Sequence, residues 1–234
     1  MAKFTVESDF WELFPDAHFG VVLAKGIDNS GETPAEVKKM LAVANEESEK
    51  FTEMAVFSEN PAVAVWREAY SKFKTKKGAR SSIENLLKRV SKGKEVGSIN
   101  PLVDLYNIIS LTYGLPAGGE DSDHFAGDMR LTKATGGEAF IAIGEDKDEP
   151  CLEGEIAYLD NDGAVCRCWN WRDGQRTMLT DDTKNAFLIV ESCVAEQEVS
   201  VREATAKLSA LVNEYFGISS APIIIDREHP TLEL

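Results

Sequence analysis

Between Gly97 and Asp121 the chain carries a helix whose two ends are both marked in the sequence. Asn100 stands at the cap position, where its side chain can accept an orphan amide. Pro101 follows at the first helical position, where its missing N–H has no partner to lose. Gly114 closes the helix ahead of Leu115-Pro116. Within those limits Leu102, Leu105, Tyr106, Ile109 and Tyr113 recur at helical spacing, so the segment has an apolar stripe that must be buried against the rest of the chain. Asp104 and Asn107, three apart, share a face and can converge on a loop or a ligand.

The residues before this helix are mostly helical in pattern. Trp11 lies in a short amphipathic segment, and 19–25 reads as the first strand. Thr33-Pro34-Ala35-Glu36 reads as a capping box that opens a helix to about Phe51. Asn60-Pro61 starts another to about Phe73, and Ser81-x-x-Glu84 is a second capping box. After Asp121 the period shifts toward two, with strands expected at 129–131, 139–143, 155–159, 164–169 and 186–191. Asp160-Asn161-Asp162-Gly163 is a hairpin turn by composition, because Asp, Asn and Gly tolerate positive φ. Ser200-x-x-Glu203 is read as the cap of a last helix to about Phe216, with a closing strand at 221–225. Helices first, then strands, then helix and strand is an α+β order. No linker divides the chain, so residues 1–234 are expected to form a single domain.

Charge narrows the partners. The chain has 40 acidic and 25 basic residues, net −15, which opposes nonspecific association with a polyanion and argues against DNA. The excess is uneven, however. From Arg67 to Lys94 ten basic residues face only Glu68 and Glu84, a local +8 on a remainder of −23. An anionic partner would therefore have one place to dock, although a solvated helix face and loop have the same composition. Lys74, Lys76, Lys77, Arg80, Ser82, Lys88 and Arg89 are the candidate contacts, with Ser82 and Arg80 at a helix start where amides favour an anion. No apolar run reaches the ~18–20 residues of a membrane span and no signal peptide precedes Phe4, so a cytoplasmic location is expected. Cys151, Cys166, Cys168 and Cys193 form no Cys-x-x-Cys pair and lie far from His18, His124 and His229. That spacing predicts reduced, partly buried thiols, with neither metal nor cofactor.

Asn100-x-x-Val103-Asp104-x-x-Asn107, the Gly114-Leu115-Pro116 turn and Asp121 together resemble the editing domain of the phenylalanyl-tRNA synthetase β subunit, formed by its third and fourth modules. The likeness continues through Thr135-Gly136-Gly137-Glu138 and through Asp181-x-Thr183-x-Asn185 with the apolar run to Glu191, covering about residues 80–195. It implies a helical N-terminal part packed on a mixed or antiparallel sheet. It also implies a function: binding the acceptor end of an aminoacyl-tRNA and hydrolysing the ester of a wrong amino acid, typically tyrosine. Neither a synthetase catalytic core nor an anticodon-binding module is evident, which suggests a freestanding relative. The chain departs from the family pattern at Gly118, where a histidine is usual, at Gly97, where an arginine is usual, and near Gln175, where counting places a glutamate. Each departure removes a group able to carry charge.

Four residues are candidates for the chemistry. Asn107 could bond a substrate or tie its helix to the next loop. Asp121 could face the ligand or cap local amides, and His124 could replace the absent histidine or sit on the surface. Glu138 could position water at a strand entrance. Trp169, Asn170, Trp171 and Arg172 are the substrate-binding candidates: read as a strand, they place both tryptophans on one side, either to stack on a base or amino acid or to fill a core. The competing class is a non-catalytic module that holds an RNA end, a nucleoside or an amino-acid-like ligand. A metal hydrolase would need a His/Asp/Glu cluster that this sequence lacks.

Overall fold

The computed structural model describes residues 2–234. In chain order its elements are β1 (Lys3–Val6), α1 (Ser8–Leu13), β2 (Phe19–Lys25), α2 (Ala35–Glu47), α3 (Pro61–Tyr70), α4 (Ser82–Val90) and α5 (Pro101–Tyr113). They continue as β3 (Ala117–Asp121), β4 (Met129–Lys133), β5 (Ile156–Asp160), β6 (Gly163–Arg167) and β7 (Arg172–Asp173). Last come β8 (Asn185–Glu191), α6 (Glu198–Phe216), β9 (Ile223–Ile225) and β10 (Thr231–Glu233). Two sheets result. One has the order β10-β1-β4-β5-β6-β7 and is mixed, because β1 runs parallel to β4. The other, β3-β8-β2-β9, is antiparallel throughout. The fold is α+β.

Period-two alternation on β8 explains the layering. Phe187 and Ile189 face the first sheet and join Phe4, Met129, Leu131, Ile156 and Tyr158 in one core. Ala186, Leu188 and Val190 face the other way and are covered by α2, α5 and α6. Gly20 on β2 is what lets α6 approach so closely, since a Cβ there would fall 1.6 Å from Thr205 Oγ1.

The central helix forms as its ends predict. Asn100 Oδ1 accepts from the Val103 amide at 3.1 Å, and Gly114 adopts φ 66°. A side chain at Gly114 would also meet the Phe51 ring at 2.9 Å. Other expectations need correction. Thr33 does not cap α2: its hydroxyl is donated to Asp104 Oδ2 at 2.6 Å, tying α2 to α5. Ser200 is no cap either, because a 3-10 turn at Ala195–Gln197 runs straight into α6 at Glu198. Residues 139–143 contribute one isolated bridge, Ala142 to Gly174, instead of a strand. Their Phe140 and Ala142 are used to cover the outer face of β5 and β6, packing on Ala157, Leu159 and Ala164. The strand expected to run through Trp169 ends at Arg167.

Candidate functional site

The end of β6 sets up the site. Cys168 and Trp169 both take left-handed backbone angles, φ 46° and 64°, which costs of order 1–3 kcal/mol per non-glycine residue and reverses the chain toward β7. The turn persists because it is held from inside. Glu155 Oε1 accepts from the Cys168 amide at 2.8 Å, while Arg167 binds the same carboxylate through Nε at 2.9 Å and Nη2 at 2.7 Å. Trp169 therefore drops into the core. Its ring lies 4.7 Å from Phe14, 4.8 Å from Trp66 and 4.9 Å from Phe10. Trp169 and Trp171 accordingly do not share one face of a strand. Asn170 and Trp171 emerge on the far side of the turn.

There they meet a pocket between the two sheets, with a cavity volume of about 80 Å³. β3 supplies Gly118, Gly119 and Glu120, β8 supplies Phe187, Ile189 and Glu191, and the facing sheet supplies Met129, Tyr158, Val165, Cys166 and Asp173. Half-exposed Ser82, Asn170 and Trp171 stand on its solvent side. The floor is apolar; the polar groups are chiefly acids.

Those acids differ in how they are satisfied. Glu191 is buried and accepts from Trp169 Nε1 at 2.9 Å, from Tyr158 Oη and from Asn170 Nδ2. Burial nonetheless pushes its carboxyl up to about 7, outweighing these bonds. Glu120 is 6% exposed, and its Oε2 has no partner; burial holds its carboxyl well above the usual range, with the nearby Asp173 charge adding to the shift. Asp173 is raised too, by removal from solvent, which outweighs the Cys166 thiol beside it. None of the three carboxylates has an ion-pair partner among the described residues. The cations around them are matched elsewhere: Lys76 with Glu149, Arg172 with Glu145 and Arg176 with Asp160.

On the other side of the α4 N-terminus lies a second, shallower cavity of about 240 Å³. Trp66, Arg67, Tyr70, Thr75, Arg80 and Ser81 line it. Both arginines reach Glu84, and the buried Trp66 Nε1 has no acceptor. Ser81 caps α4 by accepting from the Glu84 amide at 3.3 Å.

The residues singled out in the sequence are dispersed. Ser82, Asn170 and Trp171 line the inter-sheet pocket. Lys76 Nζ lies 5.8 Å from the Trp171 ring and Arg172 Cζ lies 5.4 Å from it, so both sit beside the same opening. Arg80 lines the shallower cavity. Lys74 and Lys77 are exposed on the preceding loop, while Lys88 and Arg89 occupy the last turn of α4. That places them about 10 Å along the helix from its start. Trp169 lies behind the pocket, bonded to Glu191.

The four chemical candidates do not line this pocket. Asn107 is buried on α5. Asp121 accepts from Thr183 Oγ1 at 2.8 Å and from the Asp123 amide at 3.1 Å, fastening β3 to the turn before β8. His124 is exposed, 3.4 Å from Asp121. Glu138 closes its own turn by accepting from Thr135 N, Thr135 Oγ1 and Gly136 N at 2.7 to 3.0 Å. Partial burial would raise its carboxyl, but these bonds bring it below the usual value. Asp104, fully buried, binds Thr33, Ser98 and the Ile99 amide.

Glu120, Asp173, Tyr158 and Cys166 were missed by sequence reasoning, and Glu191 was seen only as a strand end. A signal existed for two of them: the alternations Gly118/Glu120 and Phe187/Ile189/Glu191 place both glutamates on the faces that meet between the sheets.

A model of the B3/4 domain family matches residues 65–216, a span that contains the whole pocket lining. Over 98 residues the chain is 29% identical to the phenylalanine–tRNA ligase beta subunit of Mycoplasma genitalium, a match covering 42% of this chain and 12% of that protein. In fold it is similar to an N-terminal fragment of the phenylalanyl-tRNA synthetase beta subunit from Pyrococcus horikoshii. There the TM-score is 0.51 at 13% identity, covering 94% of this chain and 53% of that one.

Proposed function

The chain belongs to the B3/4 domain family, and from that membership we propose that it binds the acceptor end of an aminoacyl-tRNA, with the aminoacyl group entering the pocket between the sheets. One observation carries the reading. The adjacent residues Ser82, on the pocket's lining, and Ser81, on that of the donor-lined cavity, stand at the start of α4, within the 67–94 segment whose local charge is +8 on this acidic chain. An RNA 3′ end needs that combination: cations and amide donors for its phosphates, and beside them a recess for the group it carries. Lys74, Lys76, Lys77 and Arg80 supply affinity, while the recess supplies selectivity.

Ester hydrolysis by water is the chemistry this reading assigns. A second reading, a binding module without turnover, is favoured by the placement of Asn107, Asp121, His124 and Glu138 outside the pocket and by Gly118 on its lining. Incubating the purified chain with a panel of charged tRNAs separates the two. Loss of the amino acid from a mischarged tRNA, with the correctly charged one spared, supports hydrolysis. Salt-sensitive binding without turnover, weakened when Lys74, Lys76 and Lys77 are neutralised together, supports the binding module. A chain that neither binds nor deacylates any tRNA refutes both.

A further inference from the structure

The cavity on the other side of the α4 start is opposite in charge to the inter-sheet pocket. Among the described residues that line it, Glu84 is the only acid; it is 1% exposed, and two guanidinium groups converge on it. Arg67 reaches across from α3 with Nε at 3.1 Å and Nη2 at 2.7 Å, and Arg80, in the loop before α4, approaches with Nε at 3.3 Å. Two positive charges against one carboxylate leave an excess of one, on a wall whose carboxylate is already held.

The donors of this wall are not all used. Arg80 gives Nη1 to the Ala79 carbonyl at 2.6 Å and Nε to Glu84, which leaves Nη2. Arg67 has used Nε and Nη2, which leaves Nη1. Both side chains stay within reach of a ligand, 41% and 46% exposed. Trp66 lines the same cavity, is fully buried, and its Nε1 has no acceptor. The neighbouring Trp169 ring, 4.8 Å away and inclined at 73°, offers a π face, a weaker acceptor than an oxyanion. A buried donor left unbonded is costly, so an acceptor brought to it gains more than an ordinary surface contact would.

The chemistry of the ligand follows by comparison. A cation would be repelled by two arginines. A neutral amide or hydroxyl would leave the excess charge unopposed. A carboxylate fits one fork, but two arginines and an indole call for acceptors on several sides. A phosphate group presents tetrahedral oxygens to both forks, and the positive end of the α4 dipole adds to its attraction.

We infer that this cavity is a phosphate site, with Arg67 and Arg80 as its cationic forks and Trp66 Nε1 as its buried donor. That the phosphate belongs to an RNA backbone rests on the function proposed above; the site itself does not. A free phosphate-bearing small molecule presents the same group, so the test separates the two sources.

Inorganic phosphate is titrated at pH 7 and constant ionic strength into the full chain, isotope-labelled at its tryptophan indoles, with the Trp66 resonance identified by Trp66→Phe. The Trp66 N–H signal is expected to move and saturate with phosphate and to stay in place with chloride. Arg80→Gln should weaken phosphate about tenfold. Arg67→Lys, which keeps a charge against Glu84 but loses the fork, should weaken it by a smaller factor. Unfolding curves show which variants fold. No saturation, an equal response to chloride, or full affinity in a folded variant overturns the site. Lys74, Lys76 and Lys77 do not line the cavity, so the chain with all three neutralised should keep phosphate while losing tRNA. Loss of phosphate there would move the site to the lysine loop and overturn the assignment. Displacement of bound phosphate by tRNA assigns the RNA backbone as the source. Phosphate binding by a chain that ignores all tRNA retains the site and assigns it to a free phosphate-bearing molecule. Binding of tRNA without any response of Trp66 to phosphate keeps the RNA reading and removes the site.

Discussion

Two sets of buried or half-buried acids lie on either side of the Arg167–Trp169 turn, and they are treated in opposite ways. Behind the turn, Glu155 is fully buried and every lone pair has work: both oxygens face the Arg167 guanidinium, and the Cys168 and Leu152 amides complete the set. Burial alone would raise its carboxyl, yet the arginine and amide bonds bring it below the usual range. In front of the turn, Glu120, Asp173 and Glu191 are raised and have no arginine. Loss of solvent raises the carboxyls of both sets; partners decide the charge. An acid paired with an arginine, as in the first set, ties elements of the fold together, whereas acids without one, as in the second, hold their protons more tightly and add little as charges.

The most severe way to break this contrast is Glu155→Ala. It strands the buried Arg167 and should cost about 3–5 kcal/mol, read as a lower urea midpoint. Next comes pH. Glu191 binds its proton more tightly folded, at about 7, than a glutamate does unfolded, so its own contribution to stability is fully present in acid and is lost as pH rises from the unfolded value toward 7. Glu191→Gln should flatten that decline by about 2 kcal/mol across the same window, measured as thermal unfolding at successive pH values. Glu120→Gln removes a carboxyl whose ionisation burial opposes and should raise stability in alkali by about 1 kcal/mol, in the opposite direction to Glu155→Ala. Smallest is Lys76→Met. Its Glu149 contact is part-exposed, so unfolding should shift by less than about 0.5 kcal/mol. Its effect on tRNA binding should be the larger one.

What the sequence discloses and what it conceals divide along the same line. α5 was legible because its stop and start signals act through the local backbone: Asn100 and Pro101 at one end, Gly114 at the other. β2 was legible from its apolar run. Thr33 shows where local signals fail. It has the form of a cap, yet Asp104, 71 residues away, takes its hydroxyl. Trp169 was mistaken for a strand residue because nothing in Cys-Trp-Asn-Trp announces two left-handed angles; these are imposed by Glu155 from outside the segment. β1 and β10 are short strands whose pairing with each other spans the whole chain, so no local window could find them. The acids of the pocket were concealed by abundance. Among 40 carboxylates, three that turn inward look like solvent-facing residues until the sheets are stacked.

Glu191 has one further consequence, in optical terms. The carboxylate that borders the pocket is also the hydrogen-bond acceptor of the Trp169 indole, which is wholly buried among Phe10, Phe14 and Trp66. A change of charge at Glu191 on binding or losing its proton alters the field at that indole. The protein thus contains its own reporter: in a Trp171→Phe background, which removes the tryptophan on the pocket's lining, the emission wavelength of Trp169 should follow the titration of Glu191, and Trp169→Phe should silence that response.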